Sequence, residues 1–330
     1  MTTDRELSAA WTGAASALRN LFRQMAYQDW LVLIYLCMMM AALGAAPEGS
    51  DRTQSARDIG GLLGILVFTI VLVRGRLLRH PYVAPLVYRF GVYGTVQYSY
   101  VYLHGLLPQV NTHSLDAELH SLDLALFGVE PAIWLDRVVT PFTSEWFAFF
   151  YFGYFFLLAV HVLPMLLASR GGRLLSEFAV AILTLFCVAH IIYMLVPGYG
   201  PYHAVPDEFE NALPQGLWVN LVMKAVGAAG AAKDIFPSLH TAAPTLLALF
   251  SYRHRDKMPW RYTWPITCFF ALNIIIATMF LRWHWVIDVV AGFALANICV
   301  AFAANNVDRW YSRREEVGLQ PMWPIYGQRL

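Results

Sequence analysis

Charge is what this 330-residue sequence has least of. Asp, Glu, Lys and Arg make up 14% of it, and 23 basic residues against 22 acidic ones leave a net charge of +1. With no basic tail or strongly basic stretch, a nucleic-acid partner is not expected. Cysteine is scarce too. Cys37, Cys187, Cys268 and Cys299 all lie in apolar stretches without the close spacing of metal ligands, and read as small buried hydrophobes. Also missing are a His-Glu-x-x-His pair, a paired-cysteine motif and a Gly-Lys phosphate-cradling loop, so no metal and no cofactor is expected. No internal repeat, low-complexity tract or shift in composition marks a second domain.

What is abundant is apolar surface: 58% of the residues are hydrophobic and 15% aromatic, and the mean hydropathy is +0.50. That composition belongs to an integral membrane protein. Apolar runs at 30–46, 60–73, 81–103, 144–168, 177–196, 237–252, 263–281 and 284–304 predict an all-α, polytopic bundle of about eight transmembrane helices. Several runs fall short of the ~20 residues of an ideal span, and flanking aromatics have to supply the missing length. Residues 1–29 mix Arg19 and Arg23 with Leu18, Phe22 and Met25, which predicts a helix lying on the membrane surface. They lack the apolar core and cleavage site of a signal peptide, so the segment is expected to be retained. The expected organisation is an interfacial segment at 1–29, one transmembrane catalytic domain at 30–305 and a cytoplasmic tail at 306–330.

Basic residues concentrate in short cytoplasmic loops. With the N-terminus inside and eight crossings, 16 of the 23 basic residues fall on the cytoplasmic side and six on the other, with Arg89 inside a span. The stretches 236–240 and 282–288 then share the non-cytoplasmic face, in a bacterial inner membrane or its equivalent. Two external segments are too long for turns. In 113–137, acids alternate with Leu115, Leu119, Leu122 and Leu126, predicting an interfacial helix broken at Gly128 and Pro131. Residues 197–235 lead from a Gly/Pro/Tyr stretch into a softer helical piece containing Trp218, Leu221 and Val222. Both segments could roof a site at the membrane surface.

Two helix entrances carry chemistry. His284 and Asp288 are four residues apart, on one helical face, so the carboxylate can orient the imidazole and stabilise its charged form. Upstream, Phe236-Pro237-Ser238-Leu239-His240 opens another apolar run, with His240 just inside it. Helix N-termini favour an anion such as phosphate, to which the Ser238 hydroxyl and the charges of Arg282 and Lys233 could add. A histidine held by Asp288 can attack phosphorus, while a second histidine protonates the leaving oxygen. Ser238 also reads as a plain helix cap, Arg282 and Lys233 as cations snorkelling to the interface, and residues 149–156 as core or lipid-facing aromatic bulk. His161 and His190 are expected to bond to backbone or to neighbouring helices, and His113 and His120 share one exposed face.

Together Phe236-Pro237-Ser238-Leu239-His240, His284 and Asp288 resemble the type 2 phosphatidic acid phosphatase superfamily, and within it the branch that includes inositol phosphorylceramide synthase, an inositolphosphotransferase of sphingolipid metabolism. Further likeness to that branch lies in Asp123-Leu124-Ala125-Leu126-Phe127-Gly128, in the aromatic run 149–156 and in Pro197 to Tyr202. The resemblance implies a six-helix catalytic core and a phosphohistidine mechanism, with His284 as nucleophile, Asp288 as its partner and His240 as acid and base. Ser238, Arg282, Lys233 and Tyr202 are the candidates for the phosphate side, with Arg282 and Lys233 standing in for the cations that the resemblance would supply. The sequence departs from the phosphatase pattern in lacking Lys-x6-Arg-Pro, and Thr278 stands where an arginine is expected six residues before the nucleophile. The implied reaction moves a phosphorylated headgroup from a phospholipid donor to a lipid alcohol. Hydrolysis of a lipid phosphate is the alternative, and a non-catalytic transporter or scaffold is the alternative of another class. An intramembrane serine protease is disfavoured, because Ser238 and His240 are two apart on one turn and point away from each other.

Overall fold

The computed structural model describes residues 4–47, 50–229 and 233–328. In chain order the helices are α1 (Asp4–Gln24), α2 (Tyr27–Ala45), α3 (Ser50–Arg74), α4 (Val83–Val110), α5 (Asp116–Phe127), α6 (Pro131–Leu135), α7 (Pro141–Leu167), α8 (Arg173–Leu195), α9 (Pro201–Ala204), α10 (Leu217–Ala229), α11 (Leu239–Arg253), α12 (Trp260–Phe280) and α13 (Val286–Glu316). The described residues form no strand; a single parallel bridge joins Gly198 to Asp234. This is a helical membrane bundle, the architecture lipid imposes when backbone groups must be paired within their own segment.

Each of the eight apolar runs falls within one helix, overrunning its ends by at most two residues. Six of these, α2, α3, α7, α8, α12 and α13, are long and apolar enough to cross a membrane. The other two depart for visible reasons. Helix α4 has 28 residues, but its tyrosines and the buried Arg89 dilute its apolar character. Helix α11 has only 15 residues, or about 22 Å, less than the ~30 Å hydrocarbon core. It is preceded by the buried approach of Lys233, Ile235, Pro237 and Ser238. Helix α8 is apolar on nearly every side and forms the axis, packed by α2, α4, α11 and α13. Rings such as Phe156, 63% exposed, cover the outside, as lipid as solvent allows.

The predicted breaks fall where the sequence put them. Gly128 ends α5 in the left-handed conformation, and Pro131 occupies the first turn of α6. With α9 and α10, these short helices cover the end of the bundle from which α11 and α13 start.

At the opposite end, the tail boundary expected at 305 falls inside α13, which continues to Glu316. Beyond it the chain folds back into the bundle and buries Met322 and Trp323. The main reason is unspent hydrogen-bonding capacity on cations. Arg74 is paired with Asp29 at 2.9 Å, both side chains fully buried, and its remaining donors reach Tyr88 and the carbonyls of Pro321 and Met322. Arg89 likewise donates to the carbonyl of Pro324 and lies over the Tyr326 ring. A buried charge left without such partners costs several kcal/mol.

Candidate active site

Helix α11 enters through Ser238, whose hydroxyl accepts the amide of Thr241 at 3.2 Å and whose own amide donates to the carbonyl of Asp288 at 3.0 Å. That second bond ties the start of α11 to the first turn of α13. Gly292 permits the approach, since a Cβ there would lie 2.5 Å from the Ser238 carbonyl oxygen. His240 follows on the first turn of α11, between two tyrosines of α7. Its ring stacks on Tyr151 with centroids 4.3 Å apart and lies 4.3 Å from Tyr154. Tyr151 Oη is 3.5 Å from His240 Nδ1, whereas Nε2 is buried with no protein partner among the described residues.

The second imidazole comes from the α12–α13 turn. The amides of Trp283 and His284 both donate to the carbonyl of Thr278, with Arg282 in the left-handed region at φ 69°. His284 is thereby lifted off α12, its ring centroid 6.3 Å from that of His240. Asp288 Oδ2 accepts the amide of Trp285 at 3.0 Å and lies 3.4 Å from His284 Nδ1. The main chain of Ile235 also bonds to the His284 ring. Burial, and then the neighbouring His240, push His284 down to about 3, so it is a neutral imidazole at physiological pH.

The entrance of α13 differs from the phosphate cradle expected there. Asp123 of α5 takes the amides of Val286 and Ile287 at 2.6 and 2.9 Å, so the donors of the first turn are already filled by a carboxylate. A buried helix start must satisfy those amides, and a fixed side chain does so without waiting for a ligand. Burial raises the pKa of Asp123, and Glu130, also buried, sits against it and is raised to about 7.

His240, His284 and Asp288 are thus brought together, with Ser238 behind them through its main chain. Arg282 donates to Asp136 Oδ1 at 2.7 Å and to the carbonyl of Asn211, over the ring of Phe209. Lys233 donates to the carbonyls of Asn111 and His113 at 2.8 and 3.3 Å. Tyr202 is 47% exposed, lies 5.0 Å ring to ring from Trp283 and donates its amide to the carbonyl of Arg282. Thr278 is fully buried, its hydroxyl turned back to Ile275 O, and offers no substitute for the missing arginine.

Three features escaped the sequence. Tyr151 and Tyr154, counted with the aromatic bulk of 149–156, instead flank His240. Asp116 accepts the amides of Tyr199 and Gly200 and the indole N–H of Trp285, fastening the Gly/Pro/Tyr stretch to the His284 turn. Asp234, six residues before His240, accepts from Tyr100 Oη at 2.7 Å, and burial raises its pKa to about 6. A lone acid between an apolar loop and a helix start was the only signal for it. His161 and His190 bond to Leu157 O and to Tyr35 Oη, as expected of histidines within spans. His120 stacks on Trp285 at 5.0 Å. Among the described residues, no group of three His, Cys, Asp or Glu side chains is arranged to hold a metal ion.

Comparison with curated proteins and with solved structures finds no match. The sequence profile of the PAP2 superfamily matches residues 117–302. That span runs from α5 through both histidines and into α13, and by it this chain belongs to the PAP2 superfamily.

Proposed function

We propose that the protein transfers a phosphorylated headgroup between lipids, in the manner of inositol phosphorylceramide synthase, through a phosphohistidine at His284. Membership of the superfamily points to phosphatase or phosphotransferase chemistry on a lipid-like phosphate. The observation that carries the reading is the pair of imidazoles 6.3 Å apart, one of them backed by Asp288 at its Nδ1. In the first step the neutral Nε2 of His284 attacks phosphorus, the N–P bond forms, and the bond to the donor's lipid alcohol breaks. His240 gives that oxygen its proton, and Asp288 stabilises the cationic imidazole. In the second step the acceptor alcohol passes its proton to His240, its oxygen bonds to phosphorus, and the N–P bond breaks to restore His284. Water in place of the acceptor would make the same intermediate a hydrolase.

Ser238 and Lys233 precede His240 in the chain, and Arg282 and Tyr202 pack beside Trp283 and its turn. The 16-to-6 distribution of basic residues supports a site facing away from the cytoplasm. The test is to incubate purified protein with donor phospholipid and a lipid alcohol, and to follow lipids and protein by mass spectrometry. A new phosphodiester, and phosphorus on His284 that disappears in His284→Ala, are expected. Release of the water-soluble phosphorylated headgroup without transfer would establish hydrolysis, and activity surviving in His284→Ala would overturn the mechanism.

A further inference from the structure

Away from the histidines, where the start of α2 meets the far end of α13, two cavities adjoin. One, of about 510 Å³, is lined by Arg23, Arg313 and Arg314 together with Tyr27, Trp30 and Trp310. The other, of about 190 Å³, is an almost wholly apolar furrow between α2 and α8, lined by Leu31, Ile34, Cys187, Val188 and Ile191. Tyr27 and Trp30 line both, so the arginine-lined chamber adjoins the apolar furrow.

No carboxylate lines either space. Arg314 donates to the carbonyls of Gln24, Met25 and Gln320 and forms no ion pair with a described carboxylate, the nearby Asp29 being paired with Arg74. Arg23 and Arg313 are exposed and form no ion pair with a described carboxylate. Three guanidiniums without an ion-pair partner call for an anion, and guanidinium forks suit phosphate. The aromatic rims belong at headgroup level: Tyr27 stacks on Trp310 with centroids 4.9 Å apart, and Trp30 on Phe22 at 5.7 Å. The furrow continues along the exposed Ile34 and Met38 of α2, which a bilayer would cover with acyl chains.

We propose that this composite site binds one anionic phospholipid of the leaflet opposite the catalytic histidines, its phosphate on the three arginines and an acyl chain in the α2–α8 furrow. The site is separate from the reaction and does not depend on it.

The test uses the full chain in nanodiscs of mixed phosphatidylglycerol and phosphatidylcholine, with retained lipid counted by native mass spectrometry. Wild type should keep phosphatidylglycerol in preference to phosphatidylcholine. R23Q/R313Q should lose that preference at least tenfold, R23K/R313K should keep most of it, and His284→Ala should leave it unchanged, which separates this lipid from a donor in the active site. Equal retention of the two lipids by wild type would overturn the proposal, as would undiminished phosphatidylglycerol on R23Q/R313Q. Displacement of the lipid by millimolar glycerol 3-phosphate would show a site for a soluble phosphate, and would overturn it as well.

Discussion

Replacing Asp123 by Ala removes the acceptor for two amides at the start of α13, those of Val286 and Ile287, at 2.6 and 2.9 Å. The carboxylate is fully buried, so water does not step in readily. Each amide left unpaired costs on the order of 1–3 kcal/mol. Loss of the negative charge at the positive end of the helix adds a few tenths of a kcal/mol to about 1 kcal/mol. A destabilisation of roughly 2–7 kcal/mol follows, large against the 5–15 kcal/mol of an ordinary fold. The effect on catalysis comes through position. The turn carrying His284 enters α13 through these same amides, and a shift of about 1 Å in a reacting group can cost 10²-fold in rate. Asp123→Asn keeps one carbonyl acceptor, so it should lose about half as much stability as Asp123→Ala, and much less of the rate. Denaturant unfolding in mild detergent, with turnover measured on the fraction that remains folded, separates the two effects. Wild-type stability in Asp123→Ala would refute the capping argument. A rate loss equal in Asn and Ala variants would refute the positional one.

The Arg282–Asp136 pair predicts that Arg282→Ala and Asp136→Asn lower kcat/KM alike, by about 2–3 kcal/mol, because each loosens the same roof; a loss confined to Arg282→Ala would show the cation acting on phosphate directly. Glu130 has its pKa raised in the fold from 4.5 to about 7, so the native state favours its protonated form and stability falls as pH rises from 4.5 through 7. Glu130→Gln should flatten that fall and gain on the order of 2 kcal/mol above pH 7, read from unfolding midpoints across pH; an unchanged slope would remove Glu130 as its source. Gly292→Ala drives a methyl to 2.5 Å from the Ser238 carbonyl and should part α11 from α13, costing about 1–3 kcal/mol of stability and at least tenfold in turnover, measured side by side; a fully active variant would show that the two helices can separate without harm.

Local pattern alone determined the helices of this protein. A chain with 58% hydrophobic residues enters lipid, where an unpaired amide is too costly, so each apolar run had to become a helix whatever its neighbours were. Gly128 and Pro131 act through their own backbone freedom, and His284 and Asp288 share a face because 3.6 residues make a turn. Those features were legible because each depends on residues a few positions apart.

Only the tertiary structure decided which groups complete the site. Asp123 caps a helix 163 positions away, Asp136 meets Arg282 across 146, and Tyr151 reaches His240 across 89. Nothing in the sequence around Asp123 distinguishes a capping carboxylate from a solvated one, nor Tyr151 and Tyr154 from the lipid-facing Phe155 and Phe156. The same holds for the tail: Trp323 reads as an ordinary cytoplasmic residue until Arg74 and Arg89, buried on other helices, draw the neighbouring carbonyls inward. A buried donor or cation must find an acceptor somewhere, but the chain's periodicity records only that the need exists. Packing selects the partner, because a hydrogen bond acts over about 3 Å of space and takes no account of distance along the chain.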